Sequence, residues 1–138
     1  MFKTELLPHT ADLRIWLEAD TPEELFQAGA SVLNELLKPG FCNRTGNGTI
    51  HEAIEVESTD TTALLIDFLS ELLTLSYTER AVFCLVNVLH FAANSISARV
   101  SGWPAEGFEE DIKAITYHEA NVHRNAEGRW ETFVVVDI

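Results

Sequence analysis

Three short segments of the sequence combine side chains of the kind that bind ions or move protons. The first, residues 9–12, is His-Thr-Ala-Asp and lies at the boundary between one strand or turn and the next. The second, residues 113–118, is Lys-Ala-Ile-Thr-Tyr-His, which is unusually polar for a strand. The third is the end of the sequence, where an apolar strand runs into Asp137 and Ile138. These segments are the candidates for a functional site.

The last two residues bring two carboxylates together, the side chain of Asp137 and the free α-carboxyl group of Ile138. If Asp12 converges on them, three anionic oxygen donors meet, which is electrostatically costly unless the cluster is protonated, paired with a cation or bound to a metal. All-oxygen ligand sets suit hard divalent cations such as Ca²⁺, Mg²⁺ and Mn²⁺. Two interpretations stay open: a divalent-metal site, or an Asp12 that caps a turn beside a solvated chain end.

Two further acids and one base are candidates on their spacing or type. Asp67 and Glu71 are four residues apart and therefore share one face of a helix. They form either an acidic patch near the site or an ordinary solvated face. Lys113, one of nine basic residues, either pairs with those acids, contacts a partner or lies on a plain strand surface.

The histidines do not follow a zinc-binding pattern. His118 and His123 are separated by four residues, and on a strand that odd offset places them on opposite faces. No His-Glu-x-x-His motif occurs, so zinc is disfavoured. His9 is either a hydrogen-bonded neighbour of the acids or a structural histidine. The sequence also has no Gly-x-Ser-x-Gly and no glycine-rich phosphate loop, and so gives no sign of a nucleophile or a nucleotide pocket.

The net charge of −13, from 22 acidic and nine basic residues, bears on the choice of partner. Proteins bind nucleic acids through cationic side chains that displace counterions from phosphates. A surface this acidic repels RNA, so we do not expect direct nucleic-acid binding. A role in RNA metabolism would have to act through a basic partner or a bound cation. The alternative is that the charge serves only solubility.

The length of 138 residues favours one domain spanning 1–138. No apolar run is long enough for a signal peptide or a membrane span, which predicts a soluble cytoplasmic protein. Cys42 and Cys84 lie far apart and lack a metal-binding spacing. We expect both to be small buried hydrophobic residues in a reducing compartment.

Apolar periodicity predicts the elements that position these segments. Leu13, Ile15 and Leu17 alternate with more polar neighbours, as in a half-buried strand. Residues 21–24, Thr-Pro-Glu-Glu, are typical of a helix start, and Pro-Gly at 39–40 ends that helix.

The remaining elements indicate the fold class. A second helix opens at 59–61, and strands are predicted near 50–56, 81–91, 94–101, 111–122 and 130–137. Helices early and strands late favour an α+β fold, with two helices packed on a mostly antiparallel sheet. The opening order of strand, helix, strand and helix would instead favour a mixed sheet.

Together, the segments 9–12 and 113–118 and the terminal pair Asp137-Ile138 resemble the archease family. Residues 64–73, Leu-Leu-Ile-Asp-Phe-Leu-Ser-Glu-Leu-Leu, are similar to the central helix of that family. The resemblance covers essentially the whole chain. One departure is Gly-Trp-Pro at 102–104, where many members have a Gly-Glu pair, and it leaves the metal-site positions untouched.

The resemblance implies a compact α+β fold and a cytoplasmic protein that is not an enzyme but activates RtcB-type RNA ligases in tRNA splicing. It implies a divalent-metal site of Asp12, Asp137 and the C-terminal carboxylate of Ile138, and a functional need for Lys113. A stand-alone metal-dependent hydrolase or nuclease, and a metal-independent chaperone or scaffold, remain as alternatives. The further candidates for partner binding or activation are His9, Asp67, Glu71 and His118.

Overall fold

The computed structural model describes residues 1–7 and 12–138. In chain order the elements are β1 (Phe2–Leu7), β2 (Asp12–Ala19), α1 (Pro22–Leu37), β3 (Ile50–Glu57), α2 (Thr61–Glu79), β4 (Ala81–Ala92), β5 (Ser95–Pro104), β6 (Ala114–Thr116), β7 (His123–Arg124) and β8 (Trp130–Asp137). Neither helix within these ranges has the length and apolar character needed to cross a membrane.

The strands form two sheets, and the strand pairs of the described part of the chain are all antiparallel. One sheet has the order β1-β2-β8-β6, with β7 also paired to β8, and the other has the order β3-β5-β4. The two helices pack against each other and against strands of both sheets. The predicted α+β fold is confirmed, with its strands divided between two antiparallel sheets.

Both helices begin at the caps that the sequence indicates. At α1, the side chain of Thr21 accepts a hydrogen bond from the Glu24 amide at 3.2 Å, and Pro22 is the first helical residue. At α2, the side chain of Asp60 accepts a hydrogen bond from the Ala63 amide at 2.8 Å. Each cap satisfies an amide that has no partner inside its helix. The predicted helix starts are therefore confirmed.

The hydrophobic core lies where the helices meet the sheets. The ring of Phe26 in α1 is 5.6 Å from the ring of Phe68 in α2 and 5.1 Å from that of Phe91 in β4. Tilted and edge-to-face aromatic pairs at such separations stabilise a core beyond the area that they bury. Ile15 and Leu17 of β2 are buried in the same core. The even-numbered residues of β2 therefore lie on the opposite face of the sheet.

The predicted strand at 111–122 is wrong. Only 114–116 form a strand there, and β7 is a separate strand of two residues. The backbone of Ile112 hydrogen-bonds to the hydroxyl of Tyr77 instead of to a neighbouring strand. Glu119 has a φ of 63°, a left-handed conformation that interrupts a strand. Apolar periodicity does not reveal either feature, because one is a distant side-chain contact and the other a single backbone angle.

Cys42 and Cys84 form a disulfide, so the expectation of two separate buried cysteines is wrong. Cys42 lies in the segment after α1, and Cys84 lies in β4, which packs against α1. That packing brings the two Cα atoms to 5.4 Å despite a sequence separation of 42 residues, and a disulfide can form at this distance. The pairing depends on the tertiary fold, since nothing in the local sequence connects the two positions.

We expect reduction of the disulfide to lower the free energy of unfolding. The reduced unfolded chain regains the entropy that the closed loop removes, and losses of roughly 2–4 kcal/mol are typical. Thermal unfolding with and without a dithiol reductant measures the difference. The double variant Cys42→Ala/Cys84→Ala is the control, because its midpoint should not respond to the reductant. A native protein that is equally unresponsive would contradict the prediction.

Two acidic side chains meet beside the C-terminal end of α2. Glu52 lies on the same side of β3 as the buried Ile54, and Glu79 is the last residue of α2. A hydrogen bond to Glu79, with partial desolvation and the charge of Glu79 adding to it, raises the pKa of the Glu52 carboxyl. A raised pKa means that the folded state holds this proton more tightly than the unfolded state. The associated stability is therefore present at acidic pH and is lost as the pH rises through the pKa of the folded state.

Replacing Glu52 with Gln should raise the unfolding midpoint at neutral pH, because the repulsion from Glu79 disappears. The gain should shrink at acidic pH, where the native carboxyl is already protonated. Midpoints of the two proteins across this pH range provide the measurement. Glu55→Gln makes the same change in net charge on the outward side of β3. An equal gain in both variants would show that total charge, and not this pair, is responsible.

Candidate functional site

The end of β8 lies between two neighbouring strands. In the β2–β8 pair Asp12 is directly opposite Asp137, and in the β6–β8 pair Ala114 is opposite the same Asp137. Facing residues of an antiparallel pair point to the same side of the sheet, with Cβ atoms roughly 4.5–5.5 Å apart. The two aspartates that the sequence singled out are therefore neighbours, although they are 125 positions apart in the sequence.

Ile138 follows Asp137 directly and is half-buried, as are Asp12 and Asp137. Its side chain packs against the hydrophobic core. This contact holds the last residue of the sequence against the protein, so that its main chain stays next to the paired aspartates. The carboxylates of Asp12 and Asp137 and the main chain of Ile138 thus share one end of the sheet.

Lys113 directly precedes β6 and lies at the same end of the sheet. Its amide donates a hydrogen bond to the carbonyl oxygen of Asp137 at 2.8 Å, just before the paired residues of β6 begin. The side chain is exposed, and its ammonium group makes no ion pair within the described residues. We call Asp12, Asp137, Ile138 and Lys113 the strand-end site.

Tyr77 of α2 holds the backbone just before Lys113. Its hydroxyl donates to the carbonyl oxygen of Ile112 and accepts from the amide of Ile112, both at 2.8 Å. Burial raises the pKa of the Tyr77 hydroxyl; the hydrogen bond with Ile112 opposes this, and the charges of Asp111 and Glu110 add to it. The hydroxyl therefore keeps its proton at neutral pH and can serve as donor and acceptor at once.

Asp67 belongs to a contact at the other end of β6. Its carboxylate accepts hydrogen bonds from the hydroxyl of Ser58 at 2.6 Å and from the hydroxyl of Tyr117. The hydrogen bond to Asp67 raises the pKa of Tyr117, and partial desolvation and the charge of Asp67 act in the same direction. Glu71, one helical turn further on, is exposed. Asp67 thus connects α2 to the end of β6, and the acidic-patch interpretation of the pair stays a prediction.

The histidines considered in the sequence analysis lie in different parts of the chain. His118 is exposed, and its amide donates to the hydroxyl of Thr116 at 3.3 Å. His123 lies in β7, where its Nδ1 is 2.7 Å from the carbonyl oxygen of Asn121. The two do not share one strand, because the chain turns between β6 and β7. His9 lies outside the described residues.

Arg14 is a residue near the site that the sequence analysis missed. It is two residues from Asp12 and therefore on the same face of β2. Its guanidinium group lies 3.7 Å from the ring centre of Phe133, and its Nε is 2.9 Å from a carboxylate oxygen of Glu119. Both partners are more than a hundred residues away in sequence, since 119 − 14 = 105. No local pattern therefore indicated this contact.

The donor set of the strand-end site fits a hard divalent cation. Two carboxylates lie side by side, and the carboxylate of Ile138 would be a third oxygen donor. Among residues 1–7 and 12–138 no three side chains of His, Cys, Asp or Glu gather in a metal-binding cluster. Zinc, which prefers nitrogen and sulfur ligands, fits the oxygen set less well.

Fold and site together define a small acidic α+β protein with two carboxylates paired at the end of a central strand. Residues 5–138 match the model of the Archease protein family (MTH1598/TM1083). The chain is 34% identical to Protein archease of Methanosarcina mazei, over 99% of this chain and 96% of that protein. It is also 34% identical to Protein archease of Pyrococcus furiosus, over the full length of both. The chain therefore belongs to the archease family.

Two solved structures share the fold. The solution structure of Methanobacterium thermoautotrophicum protein 1598 superposes with a TM-score of 0.76 at 24% identity, covering 98% of each chain. The crystal structure of an archease from Thermotoga maritima, described as a possible chaperone, gives a TM-score of 0.66 at 19% identity, covering 96% of this chain and 94% of that one. At these identities the likeness concerns the fold alone.

If the paired aspartates bind a divalent ion, Mn²⁺ should raise the unfolding midpoint of the native protein. A ligand that binds only the folded state adds about 2.7 kcal/mol when its free concentration is about 100-fold above Kd. Asp137→Asn removes one anionic ligand and should abolish most of the shift. Thermal unfolding in EDTA and in Mn²⁺ measures it. Glu57→Gln, an equal charge change on β3, should retain the shift; an identical response from both variants would argue against the site.

Proposed function

We propose that this archease-family protein activates an RtcB-type RNA ligase, promoting guanylylation and turnover of the ligase without catalysing a reaction itself. Membership of the family supports this proposal. So does the description of the Thermotoga maritima member as a possible chaperone, which fits an accessory role. The observation that carries the proposal is the strand register that makes Asp12 the direct neighbour of Asp137, with the amide of Lys113 on the carbonyl of Asp137.

In the proposed mechanism, a divalent ion would be held or placed by Asp12, Asp137 and the carboxylate of Ile138 when the ligase histidine becomes guanylylated. Such an ion would neutralise charge on the phosphates of GTP. The three carboxylates lose their mutual repulsion when they share a cation. Lys113, whose ammonium group makes no ion pair within the described residues, contacts a phosphate or an acidic side chain of the ligase.

The net charge of −13 suits a partner with a basic cleft. A ligase that binds RNA and GTP must present positive potential to both, and an acidic activator is drawn toward such a surface at an enhanced rate. The same charge keeps the protein from competing for RNA itself. Weaker activation at high salt is the signature of this steering.

The test is single-turnover guanylylation of an RtcB-type ligase with GTP and Mn²⁺, with and without a substoichiometric amount of this protein. Acceleration with turnover is expected from the native protein. Asp12→Asn and Asp137→Asn should each reduce the stimulation by at least about tenfold, as expected when a metal site loses a determinant of affinity. Glu57→Gln is the control for the change in charge and should remain active.

Two outcomes would contradict the proposal. Folded native protein that fails to stimulate a competent ligase would remove the activator function. Full stimulation by both aspartate variants would leave an activator that does not use the paired carboxylates.

A variant with one glycine added after Ile138 tests the third ligand in the same assay, since the addition moves the terminal carboxylate by one residue. Incubation of the protein with RNA and Mn²⁺ without ligase tests for a stand-alone nuclease.

A further inference from the structure

The connection between β5 and β6, residues 105–113, contains no helix or strand, yet its backbone is tied to both helices. The amide of Ala105 donates to the carbonyl oxygen of Arg80 at 2.9 Å, just after α2. The amide of Glu109 donates to the carbonyl oxygen of Leu37 at 2.7 Å, at the last residue of α1. These contacts use carbonyl groups that a helix leaves without partners at its C-terminal end. The connection therefore follows a defined path to Lys113.

Tyr77 makes the last of these contacts before the strand-end site. Its hydroxyl satisfies both the amide and the carbonyl of Ile112, and its ring packs edge-to-face on Phe108 with centroids 5.4 Å apart. The side chain of Ile112 is almost fully buried, with 1% of the residue exposed. Backbone groups at such a position need a partner, and here both depend on one hydroxyl group.

Strand β6 is short, and contacts outside the sheet hold the residues on either side of it. It pairs with β8 through only three residues, from Ala114 to Thr116, and a strand of this length forms few ladder hydrogen bonds. Two side chains of α2 hold its flanks: Tyr77 binds Ile112 before the strand, and Asp67 binds Tyr117 after it.

The spacing of these two anchors matches the length of the segment that they hold. Tyr77 and Asp67 are ten residues apart, since 77 − 67 = 10, which is about 15 Å along a helix. Residues 112 and 117 are five apart, since 117 − 112 = 5, which is about 16 Å in an extended chain. The helix therefore presents its two anchors at the separation that an extended β6 requires.

We propose that Tyr77 is a positioning residue of the strand-end site: its hydroxyl fixes the backbone of Ile112 and thereby keeps the amide of Lys113 on the carbonyl of Asp137. The contribution of Tyr77 to activity rests on the ligase function proposed above. Its effect on Lys113 does not, because the hydrogen bonds involved lie entirely within this chain. Tyr77 acts on the site through Ile112, to which its hydroxyl is hydrogen-bonded, and through the adjacent Lys113.

The test is Tyr77→Phe, which keeps the ring and its contact with Phe108 but removes the hydroxyl. Amide hydrogen exchange, followed residue by residue by NMR without metal or ligase, reports the result directly. The amides of Ile112 and Lys113 should exchange about fivefold faster or more, the factor that corresponds to one lost hydrogen bond. The amide of Asn121, which donates to the hydroxyl of Thr132, is the internal reference and should not change.

The functional measurement is ligase guanylylation with the same variant. Stimulation should fall by about two- to fivefold, at most the factor that corresponds to one lost hydrogen bond, because contact with the ligase must then order the backbone that the Tyr77 hydroxyl held in place. Val88→Ala, a truncation against the core from β4, is the control for general destabilisation and should stimulate normally at a temperature where both variants are folded.

Each outcome has a distinct meaning. Unchanged exchange of Lys113 in Tyr77→Phe overturns the proposal, and so does faster exchange with full stimulation of the ligase. Equal loss of stimulation in Val88→Ala overturns it as well, because stability would then explain the effect. If the native protein itself does not stimulate a competent ligase, the proposed function fails. The exchange of Lys113 then decides by itself whether Tyr77 positions this residue.

Discussion

Strand β8 receives hydrogen bonds from β2 on one side and from β6 on the other, and the register of these two pairs determines where the polar groups meet. Side chains alternate along a strand, so a slip of one residue would turn Asp137 to the opposite face and separate it from Asp12. The buried residues of β8, among them Val134 and Val136, oppose such a slip because they would lose the core. Hydrophobic packing thus fixes the position of the two carboxylates.

The cost of this arrangement is electrostatic. Like charges directly opposite each other in an antiparallel pair are destabilising, and the chain as a whole is strongly acidic. The core offsets this cost, with the two helices packed on each other and on both sheets. The disulfide between Cys42 and Cys84 further ties the segment after α1 to β4.

Sequence patterns predicted those elements whose signal is local. The side chains of Thr21 and Asp60 each accept a hydrogen bond from the amide three positions further on. The alternation of Ile15 and Leu17 in β2 reflects burial on one face of the strand. The prediction failed at 111–122, where the hydroxyl of Tyr77 replaces a strand partner. It failed for the cysteines for a similar reason, because the partner of each lies far away in sequence.

The sequence by itself determined the fold class, the helix starts, the family resemblance and the types of residue available to the site. These follow from side-chain chemistry and from periodicities of two and 3.6 residues, which act over a few positions. Only the tertiary structure decided that Asp12 faces Asp137, that the amide of Lys113 binds Asp137, and that Tyr77 holds Ile112. Each of these contacts joins residues distant in sequence, and strand register and helix packing bring them together only when the core forms.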